Sequence, residues 1–218
     1  MIDLRDNLIF MHVLSFMVLV SLAYEIILNC IRHKLDAKGF AFFIYVAIMW
    51  VLSLSESRRK AYTDFQTGLF NKSRCNEMLE EAGVPDNTTG IFMIDLNFLK
   101  QTNDKYGHEA GDQYISDFAH ILCDSIPTGN FIGRFGGDEF IAVIYTTDEM
   151  KMKDIKNRIE KRVKEENDLG RDPIISYSIG SVISSHYPGK TLMELLEIAD
   201  QRMYEAKKIH HQKYGIER

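Results

Sequence analysis

Apolar and polar positions divide the chain into two unequal parts. Between Asn7 and Tyr24 no charge interrupts a run rich in Leu, Met, Val and Phe. A second uncharged run, Gly39 to Ser55, carries Phe40, Phe42, Phe43, Ile44, Val46, Ile48, Trp50, Val51 and Leu54. Each is roughly 18 residues long, near the lower limit for an α-helix that crosses a hydrocarbon core. Two transmembrane helices are the expectation, and a helix pair buried against a partner is the alternative. Glu25 lies at the end of the first run, where a charge reaches the interface. A cleaved signal peptide fits poorly, because no basic segment leads the run and no small-residue cleavage site precedes Glu25. From Ser53 to Asp64 the polar run contains neither Pro nor Gly, so a helical stalk is expected to continue out of the second run and to pair with a second copy of itself.

Beyond Asp64 short apolar runs alternate with amphipathic stretches. The spacing predicts a helix over Ser73–Ala82 with Met78 and Leu79 inward, stopped by Gly83-Val84-Pro85-Asp86-Asn87. Gly90–Asp95 reads as a buried strand. His108–Ser125 reads as a helix with Tyr114, Ile115, Phe118, Ile121 and Leu122 on its core face. Phe131–Phe135 and Phe140–Tyr145 form a hairpin, Asp148–Leu169 a long charged helix, Ile174–Ser184 a strand and Leu192–Lys208 a last helix. This alternation predicts an α/β (α+β) fold with helices on a mostly antiparallel sheet. The expected organisation is a membrane segment over 1–55, a stalk over 56–63, a catalytic domain over 64–212 and a tail over 213–218.

Composition narrows the chemistry. Three cysteines, Cys30, Cys75 and Cys123, show no C-x-x-C spacing, so neither a disulfide framework nor a zinc site is suggested. A net charge of −5 argues against broad nucleic-acid binding, which needs a basic surface to displace counterions.

Two stretches carry chemistry. In Arg134-Phe135-Gly136-Gly137-Asp138-Glu139-Phe140 adjacent glycines lie between strands, as a tight turn with positive φ requires, and Asp138 and Glu139 follow at the tip. Carboxylates so placed suit a hard cation that shares its oxygen ligands with phosphates. Upstream, Ile91-Phe92-Met93-Ile94-Asp95 is an apolar strand ending in a carboxylate, an edge position typical of sites in α/β folds. Gly189-Lys190-Thr191 lacks the earlier glycine of a P-loop, and the EF-hand pattern begun at Asp95-Leu96-Asn97 fails at Phe98-Leu99-Lys100.

These stretches, with Asp64-Phe65-Gln66-Thr67-Gly68-Leu69-Phe70-Asn71, Ser178-Ile179-Gly180 and Ala199-Asp200-Gln201-Arg202-Met203-Tyr204-Glu205-Ala206-Lys207, resemble the GGDEF family, the diguanylate cyclases, which make cyclic di-GMP from two GTP molecules. The resemblance covers about residues 62 to 210 and leaves the first 60 outside it. It implies a palm-like βαββαβ core, a homodimer with one GTP per subunit, and two Mg²⁺ or Mn²⁺ ions per half-site. By the same resemblance the metal ligands are Asp95, the Leu96 carbonyl and Asp138, with Asp138 also the candidate base and Glu139 a further metal or hydroxyl contact. Asn103 and Asp112 are implied to read the guanine edge, and His108 to approach the ribose or base. Lys100, the amides of Phe98 and Leu99, and Lys207 are implied to contact phosphates. GTP as substrate implies a catalytic domain in the cytoplasm, attached to the inner membrane, with both chain ends on that side.

The chain departs from the family pattern in three places. Asn97 stands where an Asp is frequent. His211 takes the place of an arginine implied to bind phosphate. Pro127-Thr128-Gly129-Asn130 occupies the place of the charged Arg-x-x-Asp product site, so feedback inhibition is expected to be lost. Rival readings are a degenerate GTP-binding module without turnover and a relaxed cyclase that also accepts ATP.

Overall fold

The computed structural model describes residues 37–214 together with 17, 18, 20, 21, 23–25 and 28. The chain divides into two compact units, Met1–Ala61 and Tyr62–Arg218. In the first, helix α1 (Ala37–Tyr62) runs through the second apolar run and the expected stalk without a break. Phe42, Ile44, Ile48, Val51 and Leu52 are exposed on it, and Lys60 pairs with Glu56 one turn earlier at 2.7 Å.

The expected pair of membrane spans is not seen. Among the described residues no helix is long and apolar enough to cross a membrane. On α1 the apolar run is diluted by Tyr45, Trp50, Ser53 and Ser55 and ends at Glu56. The first run, Asn7 to Tyr24, lies mostly outside the described residues.

The second unit holds α2 (Lys72–Glu81), β1 (Gly90–Leu96), α3 (Leu99–Tyr106), α4 (His108–Ser125), β2 (Phe131–Arg134), β3 (Glu139–Ile144), α5 (Glu149–Asp168), β4 (Tyr177–Ile183), a 3₁₀ turn at Ser184–His186, and α6 (Leu192–Tyr214). The strands lie in the order β2-β3-β1-β4, every neighbouring pair antiparallel. Helix starts follow local chemistry. The side chain of Asn71 accepts from the Arg74 N–H at the start of α2, and that of Asp148 from the Lys151 N–H at the start of α5. Thr191 and Glu194 exchange hydrogen bonds at the head of α6, a capping box that satisfies two orphan donors.

Alternation along the strands sorts side chains into two cores. Phe92, Ile94 and Leu96 of β1 with Phe140, Ala142 and Ile144 of β3 face α4 and α5. Ile91 and Met93 with Ile141 and Val143 face α2 and α6. The sheet is therefore covered on both faces, which explains why β1 is buried at all seven positions. Helix α6 comes unusually close, since a Cβ on Gly180 of β4 would lie 1.9 Å from the Ala199 carbonyl oxygen.

Behind the site, Tyr114 of α4 is fully buried. Its hydroxyl donates to the Asn97 carbonyl at 3.0 Å and accepts from the Ser176 N–H at 2.8 Å. Burial pushes this phenol up to about 12, so it remains a donor and pins the loop after β1 to the approach of β4.

The hairpin departs from expectation. Neither Gly136 nor Gly137 has positive φ, unlike Gly68, Gly83, Gly107, Gly129, Gly170 and Gly189. A Cβ at Gly136 would instead meet the Glu139 carboxylate oxygen at 2.3 Å, while one at Gly137 would meet nothing within 4 Å. Turn handedness therefore does not require glycine at either position, and a side chain at Gly136 would have to displace the end of the Glu139 side chain.

Candidate catalytic site

The acidic end of the sheet is built by strand register. Asp95, only 5 % exposed, stands opposite Glu139 on β3 and Ser178 on β4. The Leu96 N–H donates to the Asp138 carbonyl at 2.9 Å, which ties the turn to the end of β1. Asp95, Leu96, Asp138 and Glu139, separate in sequence, thereby share one sheet end. Lys207 reaches in from α6 and its Nζ lies 2.6 Å from Asp95 Oδ1.

The Glu139 carboxyl is pushed above its ordinary value, first by burial and then by the charges of Asp138, Asp95 and Asp200, with Lys72 opposing. Lys72 also lies over the Phe135 ring, 5.6 Å from its centroid. Among the described residues no group of three or more His, Cys, Asp or Glu side chains converges closely enough to hold a metal by itself. The carboxylates of Asp95 and Asp138 and the Leu96 carbonyl are hard oxygens of the class that a divalent cation takes, so the donor set fits such an ion with phosphate oxygens completing its shell.

The turn is held from behind. The N–H groups of Phe135 and Gly136 both donate to the Glu139 carbonyl. Arg134 donates from Nε to the carbonyls of Gly136 and Gly137 and from Nη2 to that of Gly137 at 2.8 Å. Its Nη1 reaches both oxygens of Asp64 and, at 2.7 Å, Oε1 of Gln66. Burial alone would raise the Asp64 carboxyl, but hydrogen bonds from Thr67 and the Arg134 guanidinium hold it below its ordinary value.

The loop after β1 leads to the second half of the site. Phe98 caps α3 in the left-handed region at φ 66°, a conformation uncommon for a side chain of this size. Its ring packs at 5.4 Å from that of His210, whose Nε2 lies 3.1 Å from Ser176 Oγ. Asn97 is buried and spends both ends of its amide on Ser176 and Ser178, so it serves the sheet and not the acids. Leu99 opens α3, where Lys100 is exposed. The Asn103 side chain lies against Gly111, where a Cβ would be 1.9 Å from its Oδ1; that oxygen is buried without a hydrogen-bond partner. Asp112 is exposed one residue further along α4 and accepts from Gln66 Nε2, at 3.2 Å on Oδ1 and 2.8 Å on its main-chain oxygen. His108 is exposed at the first position of α4.

Residues 61–213 match the family model described as "Diguanylate cyclase, GGDEF domain". The chain belongs to this family. Diguanylate cyclase A of Treponema denticola is 32% identical over 131 residues, 59% of this chain and 35% of that protein. Diguanylate cyclase DosC of Escherichia coli is 30% identical over 161 residues, 70% of this chain and 34% of that protein. The chain thus spans about a third of the length of the curated relatives it matches. The GGDEF domain of DgcB from Caulobacter crescentus, solved in complex with c-di-GMP, is similar in structure with a TM-score of 0.57 at 25% identity, over 68% of this chain and 88% of that one.

Within this GGDEF domain the acids expected at the metal centre are brought together, and Asn103 and Asp112 lie on facing elements. Lys207, expected at the phosphates, lies at the same sheet end, paired with Asp95. The side chain of His211 lies outside the described residues; its neighbour His210 is the imidazole seated against the loop after β1. Loop 127–130 does lack charge, yet it borders a cleft of about 910 Å³ to which α5 contributes Lys151, Arg158 and Lys161. Arg134, Gln66 and His210 were not singled out from sequence. Arg134 lies two residues before the first signature glycine, which is the signal that points to it. Gln66 and His210 act through contacts with residues far along the chain.

Proposed function

We propose that this chain is a diguanylate cyclase that condenses two GTP into cyclic di-GMP and pyrophosphate, as a homodimer in which two GTP-loaded half-sites face each other. The observation that carries the reading is the junction at the end of β1, where Asp95 faces Glu139 across the sheet and Leu96 bonds to Asp138. The 3′-oxygen of one GTP attacks the α-phosphorus of the other, its proton leaves, and pyrophosphate departs. Asp95, the Leu96 carbonyl and Asp138 would hold Mg²⁺ or Mn²⁺, two per half-site, which when bound neutralise phosphate charge and acidify the attacking hydroxyl. Asp138 takes the hydroxyl proton, and Glu139, with its carboxyl pushed up by burial and neighbouring acids, contacts the same group. Lys207 and Lys100, with the amides of Phe98 and Leu99, meet the phosphates. Asn103 and Asp112 read the guanine edge, and His108 lies beside the ribose. In this reading the N-terminal apolar runs attach the protein to the cytoplasmic membrane with the GGDEF domain in the cytoplasm.

A second reading, a GTP-binding module without turnover, is favoured by the lysine that occupies Asp95 and by His211 in place of arginine. One experiment separates the two. The purified dimer is incubated with GTP and Mg²⁺ and the nucleotides are resolved by chromatography; cyclic di-GMP and pyrophosphate are expected, and bound but unconverted GTP supports the second reading. An ATP arm tests relaxed base choice. Membrane attachment is tested on the full chain, expected to sediment with membranes and resist carbonate wash; release into the aqueous fraction overturns it.

A further inference from the structure

Gln66 lies at a crossing of two halves of the site. Its Nε2 donates to both the side chain and the main chain of Asp112, and its Oε1 accepts from Arg134 Nη1 at 2.7 Å. The same guanidinium holds the carbonyls of Gly136 and Gly137 and the Asp64 carboxylate. Ser116 Oγ, one turn beyond Asp112 on α4, donates to the Gln66 carbonyl at 3.3 Å, so this residue is fastened to α4 through main chain and side chain alike. An exposed carboxylate ordinarily turns about its last torsion, whose preference is broad. Here one oxygen of Asp112 is fixed by an amide that is itself fixed by a charged group.

We infer that Gln66 is a positioning residue for base selection: it sets the Asp112 carboxylate to meet the paired N1–H and N2–H donors of guanine, and through Arg134 it links that setting to the signature turn. The inference rests on the reading of Asp112 as the guanine-recognising acid. A preset acceptor pair rejects adenine, whose N1 is an acceptor, because a carboxylate and a ring lone pair are then forced together. It also makes inosine, which lacks the N2 amino group, a graded probe of the same contact.

Two shape-preserving variants separate the two links. Gln66→Glu retains an acceptor for Arg134 but sets a second carboxylate against Asp112. Gln66→Met removes both links. Binding of GTP, ITP and ATP is measured calorimetrically with Mg²⁺ on full-length wild type and variants, alongside kcat and KM. Q66E is expected to lose about tenfold in its preference for GTP over ITP and ATP, mostly in KM, the loss of one hydrogen bond to a charged group. Q66M is expected to lose a similar preference and to drop in kcat as well, because the turn loses a support. Unchanged base preference in both variants overturns the inference, whatever happens to rate; if one does not fold, the other decides alone. A wild type that binds GTP over ATP without making cyclic di-GMP would overturn the proposed catalysis while leaving the Gln66 measurement intact.

Discussion

The acidic end of this site and the Asp112 end, to which the proposed function assigns the base, are built by opposite means. At the acidic end, Asp95 is buried on a central strand of an antiparallel sheet, its neighbours are set by strand register, and burial together with neighbouring acids raises Glu139. At the other end, Asp112 is exposed on a helix and is aimed by one amide borrowed from a loop. The first arrangement stores electrostatic tension in a rigid frame, whereas the second achieves direction with little burial. Damage at the first end should therefore fall on turnover, and damage at the second on substrate choice.

The sharpest break comes from Asp138→Asn. It deletes the charge that the proposed function assigns to metal binding from a half-buried turn and leaves the main-chain bond from Leu96 to Asp138 in place, so cyclic di-GMP formation should fall by about a thousandfold or more. The thermal melting curve should hardly move. A folded variant that still turns over would remove Asp138 from the metal centre.

At the base end Gly111→Ala is the matching test. The added methyl must displace the Asn103 amide, the end of a flexible side chain, so KM for GTP should rise about tenfold. Its kcat should stay within about twofold of wild type. A loss confined to kcat would mean that Asn103 serves the reacting atoms and not the base.

Stability against pH should show opposite signs for the acid in the turn, Glu139, and the acid that supports the turn from behind, Asp64. The Glu139 carboxyl is raised in the folded chain, so its contribution favours folding at low pH and is lost as pH climbs through the raised value. Glu139→Gln should thus stabilise the metal-free protein near pH 7 and change little near pH 4. The Asp64 carboxyl is lowered, so its contribution is present at neutral pH and is lost as pH falls through the lowered value. Asp64→Asn should cost about 1 to 2 kcal/mol near pH 7, as Arg134 loses a charged acceptor, and progressively less in acid. Urea unfolding at the two pH values checks both; equal signs would contradict the contrast.

The smallest effect concerns the product. With no charge in loop 127–130, cyclic di-GMP added at fixed GTP should slow the initial rate only weakly. Potent noncompetitive inhibition at low micromolar product would show that another part of the chain has taken over the inhibitory role, with Lys151, Asp154, Arg158 and Lys161 of the cleft the first to substitute.

Legibility of the chain followed the density of local signal. Helix α4 runs from His108 to Ser125 as its apolar spacing predicts, because five large side chains repeat on one face. Helix α3 left no such trace, since only Thr102 of its eight residues is buried. Strand β4 starts at Tyr177 and not at Ile174, because side chains engage the backbone before it: Asn167 bonds both the N–H and the carbonyl of Ile175, and the Tyr114 hydroxyl takes the N–H of Ser176. The acids of the site were readable as motifs. Their partners were not, as Lys207 meets Asp95 from the far end of the chain and Gln66 meets Asp112 across two elements.

Because a Cβ at Gly180 would also come within 2.5 Å of the Met203 N–H nitrogen, α6 rests on β4 main chain to main chain. Lys207 stands one turn beyond that contact, so the backbone from which its amine reaches Asp95 is set in part by this main-chain approach. Leu192, Leu195 and Leu196 are free to drift among similar shapes over generations, or to be redesigned at the bench, while the main-chain contact stays in its place. A single added methyl at Gly180 would shift the whole helix and carry the lysine with it.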